Sequence, residues 1–219
     1  MIRHPSPNFG PRRGGLRPEL VVLHYTEMPD ATSALARLSD RQAQVSAHYL
    51  IGARGTLWQL VEEEMRAWHA GAGGWAGMDD INSRSIGIEL DNDGASPFTA
   101  LQMQQLEALL PAIMQRWQIP PHGVIAHSDM APERKADPGL RFDWRRLARQ
   151  GLSIWPRPGG DAARPLNASL DTIGYPPCAA ETRLASFRLR FRPGAKGPEC
   201  AADRAAAADL ADQIKKLKK

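Results

Sequence analysis

The sequence predicts an α/β fold with a mixed central β-sheet flanked by helices, followed by a small C-terminal helical module. Residues 20–25 (LVVLHY) form a continuous apolar run, which is typical of a central buried strand. Residues 85–90 (SIGIEL) alternate between apolar side chains and polar or small ones, which also indicates a strand. Strand and helix patterns do not alternate strictly along the chain, and this favours a mixed sheet.

The first half of the chain contains further predicted elements. Residues 1–18 are rich in Pro, Gly and Arg, and we expect an irregular lead-in there. Residues 30–38 have apolar side chains at helical spacing and predict a short helix. Residues 45–51 and 56–61 predict a β-hairpin, because a turn with two glycines separates two strand-like runs. A Gly-rich stretch at 68–82 predicts a long loop, and such loops are often functional.

The second half predicts two helices around another strand. Thr99 followed three residues later by Gln102 forms a capping box, which predicts the start of a helix with one apolar stripe. Residues 123–126 predict a strand that leads into a loop full of turn formers. Residues 144–150 predict the closing helix of this region.

The chain is expected to divide into two units. With 219 residues it is long enough for one sizeable domain with something small attached. We predict a large N-terminal domain at 1–155, a Pro- and Gly-rich linker at 156–165 and a helical module at 166–219. Three short apolar stripes in the module predict three helices. A module of roughly 55 residues is marginally stable alone, so we expect it to dock on the first domain.

Composition excludes little but narrows the compartment. The net charge of +4 suits an anionic ligand only weakly, and no nucleic-acid partner is expected. Cys178 and Cys200 form no CxxC pair, which disfavours a cysteine zinc site and leaves open a disulfide or two thiols. Residues 1–15 lack the apolar core of a secretory signal, and no apolar run approaches a membrane span. We expect a cytoplasmic protein without membrane insertion, or a periplasmic one if a signal lies upstream.

Residues 126–139 (AHSDMAPERKADPG) hold the strongest candidate site. A hydrolytic zinc site takes about three His or carboxylate ligands and leaves one position to water. His127 and Asp137 in this loop, with His24 at the end of the first strand, are candidate ligands. Lys135 could stabilise an oxyanion, and Glu89 could transfer a proton. Each also has a structural interpretation: a hydrogen-bonded core histidine, a turn former, or a solvated charge.

Several motifs resemble the zinc-dependent N-acetylmuramoyl-L-alanine amidases of the AmpD/AmiD type. They are VVLHYT, WQLV, RAWHAG, NSRSIGIEL and AHSDMAPERKADPG followed by FDW, in family order across residues 20–155. That larger family includes phage amidases and peptidoglycan recognition proteins. The resemblance implies a mixed sheet with one Zn²⁺ in a surface groove, held by His24, His127 and Asp137. It also implies Glu89 and Lys135 as the catalytic pair.

The resemblance further implies an enzyme that hydrolyses the amide between N-acetylmuramic acid, or its anhydro form, and L-alanine. Peptidoglycan or muropeptides would be the ligands, in bacterial cell-wall turnover or recycling. His69, Tyr25 and Asn82 match the segments that line the substrate groove. The tail resembles a degenerate peptidoglycan-binding module, and a structural appendage is equally open.

The alternative is a non-catalytic peptidoglycan-binding protein on the same scaffold, which the filled ligand and catalytic positions disfavour. A serine hydrolase is disfavoured because the sequence has no GxSxG motif. The oligomeric state stays open.

Overall fold

The chain folds around a six-stranded sheet within residues 1–217, which are the residues that a computed structural model describes. The strand order across this sheet is β1-β5-β4-β7-β3-β8, and β2 pairs separately with β6. The strands are β1 (Ile2–Arg3), β2 (Phe9–Pro11), β3 (Leu20–Tyr25), β4 (Tyr49–Ile51), β5 (Leu57–Gln59), β6 (Met65–Ala67), β7 (Ser85–Leu90) and β8 (Val124–Ala126). The helices are α1 (Ala31–Ser39), α2 (Ile81–Arg84), α3 (Ala100–Trp117), α4 (His127–Met130), α5 (Trp144–Arg149), α6 (Leu166–Ile173), α7 (Ala180–Phe191) and α8 (Ala201–Leu217).

The sheet is mixed, as the sequence predicts. Strand β3 runs parallel to both of its neighbours, β7 and β8, and β4 runs parallel to β7. Strand β5 is antiparallel to β4, which confirms the predicted hairpin, and β1 adds in parallel at the far edge. The apolar run of β3 is buried along almost its whole length, because helices cover both faces of the sheet there.

One face of the sheet packs against α3. Ile86, Ile88 and Leu90 of β7 point to this face and share a buried cluster with the apolar stripe of α3. Thr99 caps the helix by accepting a hydrogen bond from the backbone N–H of Gln102 at 3.1 Å. The side chain of Gln102 does not complete the predicted capping box. Its amide donates to the carbonyls of Ile51 and Asp91 instead, because it is fully buried against the sheet.

The opposite face is shared between the C-terminal helices and an open cleft. Val22 and Ile125 lie in one buried cluster with Leu170, Phe187 and Ile214 of α6, α7 and α8. This shared core confirms that the C-terminal helices dock on the sheet, because burying their apolar stripes stabilises both partners. The division into units at 156–165 stays a prediction.

Leu217 is the last residue of α8 and is 55% exposed, so the buried apolar stripe of this helix ends before it. Lys218 and Lys219 lie outside the described residues. Cys178 and Cys200 are free thiols.

The expectation of an irregular lead-in at 1–18 is wrong, because two short strands form there. Strands β1 and β2 have two and three residues, too few for any periodicity, and they exist because partners far along the chain complete their hydrogen bonds. The predicted strands at 45–51 and 56–61 shorten to three residues each. Among the helices of residues 1–217, none is long and apolar enough to cross a membrane.

Candidate metal centre and cleft

The sheet register places His24 beside Glu89. The two residues are direct partners in the parallel β3–β7 pair, near the carboxyl ends of both strands. Partners in register project to the same face of a sheet, so both side chains stand on the face that holds the open cleft. The carboxyl ends of parallel strands are where sites form in α/β sheets.

The chain then delivers two more groups to the same place. Strand β8 ends at Ala126, and His127 is the first residue of the four-residue helix α4. The predicted loop therefore begins with a helical turn, which the sequence of polar turn formers did not indicate. Asp137 returns to the start of this turn, where the N–H of Ser128 donates to the Asp137 carbonyl at 3.0 Å.

Three buried donor atoms meet at one point. The Nδ1 atoms of His24 and His127 are 2.9 Å apart, and each lies 3.0 Å from Oδ2 of Asp137. Donor atoms this close together can all reach one zinc ion at the usual ligand distances of about 2.0–2.2 Å. Two imidazoles and one carboxylate are also the ligand types of hydrolytic zinc sites. The residues present therefore fit the ion that the resemblance implies.

The Nε2 atom of each imidazole has a partner outside the triad, so Nδ1 is the nitrogen that faces the other two donor atoms. Nε2 of His127 lies 2.9 Å from the carbonyl oxygen of Ala70 and donates to it. Nε2 of His24 lies 3.0 Å from Nδ1 of His69, whose own Nε2 lies 3.2 Å from the hydroxyl of Ser85. Such partners orient metal-ligating histidines and set their tautomers. His69 therefore supports His24, although its ring also lines the cleft.

A glycine makes room for this support. A Cβ atom on Gly87 would approach Cγ of His69 to 2.3 Å. The His69 ring thus packs directly on the backbone of β7, so any side chain at position 87 would displace the support of His24.

Protonation in the site matches metal binding. Burial, together with the neighbouring His127, lowers the pKa of His24 to about 4. Burial alone would raise the pKa of Asp137, but hydrogen bonds from His127 and His24 overcome this and hold it well below its usual range. A neutral imidazole and an ionised carboxylate are the forms that ligate a metal.

Glu89 and Lys135 complete the polar wall of the cleft. Oε2 of Glu89 is buried and accepts no hydrogen bond within residues 1–217. Burial and the nearby Asp137 raise the pKa of Glu89 well above its usual value, and Lys135 opposes this rise. Lys135 itself is exposed and lines the cleft. A carboxyl group with a raised pKa can hold and release a proton near neutral pH.

Of the predicted groove residues, Tyr25 lines the cleft and Asn82 does not. Tyr25 is half-buried beside the donor atoms. Asn82 is 6% exposed, and its Oδ1 accepts from the backbone N–H groups of His69 and Ala70 at 3.0 and 2.8 Å. Asn82 shapes the loop that presents His69, because its side-chain carbonyl satisfies two consecutive donors of that loop, and its assignment to substrate binding stays a prediction.

The cleft also contains residues that sequence reasoning missed. It has a volume of about 460 Å³, within the range of small-molecule sites. Arg134 lines it and ties the His69 loop through its Nε, which donates to Ala72 O at 2.7 Å. Arg37 lines it from α1, is exposed, and its guanidinium has no partner within residues 1–217. The run of charged residues at 133–135 (ERK) was the sequence signal that could have identified Arg134. Arg37 offered no such signal, because it resembles any charged residue on the surface of a helix.

Comparisons with known proteins match the part of the chain that holds this site. The family model described as N-acetylmuramoyl-L-alanine amidase matches residues 14–140. N-acetylmuramoyl-L-alanine amidase AmiD of Escherichia coli is 44% identical over 64% of this chain, and the alignment spans 55% of that relative's length. The 1,6-anhydro-N-acetylmuramyl-L-alanine amidase AmpD of Citrobacter freundii is 35% identical, covering 66% of this chain and 87% of AmpD.

A solved structure extends the likeness to most of the fold. It is the complex of AmiD from E. coli with anhydro-N-acetylmuramic acid-L-Ala-D-gamma-Glu-L-Lys, with a TM-score of 0.81 and 33% identity. It covers 94% of this chain and 98% of that one. The similarity therefore includes much of the C-terminal helical region as well as the sheet.

Proposed function

The chain belongs to the N-acetylmuramoyl-L-alanine amidase family, and from that premise we propose that it hydrolyses the amide between N-acetylmuramic acid and L-alanine in muropeptides or peptidoglycan. The observation that supports this most directly is the triangle of His24, His127 and Asp137 donor atoms at the wall of an open cleft. These residues would hold one Zn²⁺. The chemistry that zinc supplies when bound is Lewis acidity, which polarises a carbonyl oxygen and acidifies water.

Glu89 would act as the proton carrier of the reaction. It projects from β7 next to His24 and has one carboxyl oxygen without a partner in the described chain. The group can take a proton from the attacking water and deliver it to the amide nitrogen as the C–N bond breaks. The products are then the muramic acid carboxyl group and a peptide with a free L-alanine amine.

Lys135 would stabilise the negative charge that develops on the amide oxygen during the attack. Its side chain lines the same cleft, and its positive charge is close enough to lower the pKa of Glu89. A cation aimed at developing charge lowers the barrier more than it strengthens substrate binding.

The charges at the cleft suit a peptide stem. The substrate named in the AmiD complex contains a γ-linked D-Glu, which leaves a free α-carboxylate. In this chain Arg37 presents at the cleft a guanidinium without a partner in the described residues, and Arg134 also lines the cleft. Guanidinium groups recognise carboxylates through paired hydrogen bonds. We assign Arg37 to binding a stem carboxylate.

The test is product analysis with controlled metal content. The purified protein is incubated with anhydro-N-acetylmuramic acid-L-Ala-D-γ-Glu-L-Lys and, separately, with intact peptidoglycan. Mass spectrometry follows the release of a peptide with a free L-alanine amine. We expect release by the zinc-loaded protein, loss after chelation, and recovery on adding zinc.

Full zinc occupancy with no amide cleavage on either substrate would contradict the proposal and favour a binding protein on the same scaffold. Cleavage that persists without metal would contradict the zinc role alone.

A further inference from the structure

A buried ionic cluster joins the C-terminal helices to the segment that presents His127. Its centre is Asp129, two residues after His127 in α4 and fully buried. Oδ2 of Asp129 accepts from the N–H of Ala126 at 2.9 Å and from the guanidinium of Arg190. Oδ1 accepts from the hydroxyl of Tyr175 at 2.6 Å. Both carboxylate oxygens are thus held, and two of the three donors come from the C-terminal region.

Arg190 also forms a hydrogen bond to a second residue of the segment around His127. It is 2% exposed and donates to the carbonyl of Val124 at 2.8 Å, and also to the hydroxyl of Ser153. Its guanidinium lies over the ring of Trp144, 4.1 Å from the centroid. The planar fork of arginine is what allows one side chain to bind a carboxylate and a carbonyl at once.

A third contact joins α7 to the segment around His127. The hydroxyl of Ser186, one turn before Arg190 on α7, donates to the carbonyl of Ser128 at 2.7 Å. Helix α7 therefore holds Val124, Ser128 and Asp129, which lie on both sides of His127. These polar groups are buried, so each lost partner would leave a costly unsatisfied group.

His127 depends more than His24 does on contacts from outside its own strand and helix. His24 sits on β3, which has hydrogen-bonded neighbours on both sides. His127 follows β8, which is the last strand of the sheet and has one neighbour. It then opens a helix of only four residues, too short to be stable by itself. A metal ligand must nevertheless stay within about 0.5 Å of its productive position.

We propose that Tyr175 and Arg190, acting through Asp129, are positioning residues that hold the His127 imidazole at the metal centre. The C-terminal helices thereby form part of the metal site without touching the ion or the substrate. This inference rests on the proposed zinc centre. Both residues lie beyond residues 14–140, the part that the family model matches.

The experiment compares two identical substitutions. Tyr175→Phe removes one hydrogen bond from a buried tyrosine to a buried carboxylate. Tyr49→Phe is the matched control, because the Tyr49 hydroxyl donates to Glu63 at 2.7 Å and the ring is similarly buried, away from His127. Zinc affinity is measured by competition with a chromophoric chelator, and Tm by thermal unfolding of the full chain. We expect both variants to lose stability and only Tyr175→Phe to bind zinc less tightly, by about tenfold.

A second variant makes the outcome sharper. Arg190→Lys keeps a positive charge near Asp129 but cannot reproduce the fork to Val124 and Ser153. We expect it to weaken zinc binding more than Tyr175→Phe does. If Arg190→Lys does not fold, the comparison of Tyr175→Phe with Tyr49→Phe still tests the proposal.

The results separate the two proposals. Wild-type zinc binding with unchanged affinity in Tyr175→Phe would overturn the positioning role and leave the amidase proposal standing. If the wild-type protein binds no zinc, the proposed metal centre is wrong, and the positioning role of Tyr175 and Arg190 is wrong with it.

Discussion

The cleft and the C-terminal helices use their charged side chains in opposite ways. In the C-terminal region Asp203 forms ion pairs with Arg188 and Arg192, and other arginines of this region form ion pairs with nearby aspartates. In the cleft, by contrast, Glu89 has an oxygen without a partner in the described chain, and two imidazoles and a carboxylate point at one another. Paired charges hold helices in place, whereas unpaired polar groups at a cleft remain available for a ligand.

The contrast distinguishes the candidate site more surely than burial does. Buried charges occur in both regions, and Asp129 and Asp203 are as buried as the candidate ligands His24, His127 and Asp137. What separates the carboxylates of the two regions is whether donors of the described chain match them: both oxygens of Asp129 and of Asp203 accept hydrogen bonds, whereas Oε2 of Glu89 accepts none. A group left unmatched costs stability, and such a cost is typical of functional sites.

The strongest test of this comparison is His127→Ala. The variant lacks one of the donor atoms, and we expect it to lose stoichiometric zinc and to cleave the amide no faster than a blank. Metal content is measured by mass spectrometry and turnover by product release. His122→Ala serves as the control, because His122 precedes β8 and does not line the cleft. Full activity of His127→Ala after chelator treatment would refute the metal site.

Glu89→Gln separates catalysis from metal binding. The amide has nearly the same shape as the carboxylate but cannot accept the proton of water, so we expect kcat to fall by about 10²–10⁴-fold. Zinc content should stay at the wild-type level, because Glu89 is not among the three donors. Steady-state kinetics and metal analysis on the same sample check both parts. Loss of zinc in this variant would show that the role assigned to Glu89 is wrong.

Lys135→Met should have a smaller effect on the same reaction. The loss of one group that stabilises the oxyanion lowers kcat by about 10²–10³-fold in comparable sites. Lys196→Met is the matched control, since Lys196 is an exposed lysine of the C-terminal region and should retain wild-type kinetics. A rise in KM with unchanged kcat would assign Lys135 to substrate binding instead.

The smallest expected effect falls on stability alone. Asp203→Asn weakens the pairing with Arg188 and Arg192, and we expect the free energy of unfolding at pH 7 to fall by about 2–3 kcal/mol. Turnover and zinc content should not change, because Asp203 lies outside the cleft. Chemical denaturation provides the measurement. A large loss of kcat at full zinc occupancy would break the distinction between the two regions.

The same variant has a predictable pH dependence. Burial opposes ionisation of Asp203, but hydrogen bonds led by Arg188 hold its pKa well below the usual range in the folded state. A lowered folded pKa contributes stability above the unfolded pKa of about 3.9, and this contribution is lost as the pH falls. The difference in unfolding free energy between wild type and Asp203→Asn should therefore narrow below about pH 4. A difference that stays constant would contradict the ion-pair explanation.

Sequence patterns were sufficient for elements whose own residues decide their structure. The bounds of β3 and β7 are confirmed at every residue, because a buried central strand requires an apolar or alternating run over its whole length. The cap at Thr99 is confirmed for a similar local reason. Strand β6 and helix α2 were missed because three or four residues contain too little pattern, and distant partners stabilise them.

The sequence alone determined which residue types are available to the site, and the AmpD/AmiD resemblance selected His24, His127 and Asp137 among them. Only the tertiary structure decided that their Nδ1 and Oδ2 atoms converge. It also decided that His69 contacts His24 and that side chains of α7 form hydrogen bonds with α4. The contacts of His24 span 103 and 113 positions along the chain. Strand order and helix docking bring such residues together, and neither is encoded in a local pattern of side chains.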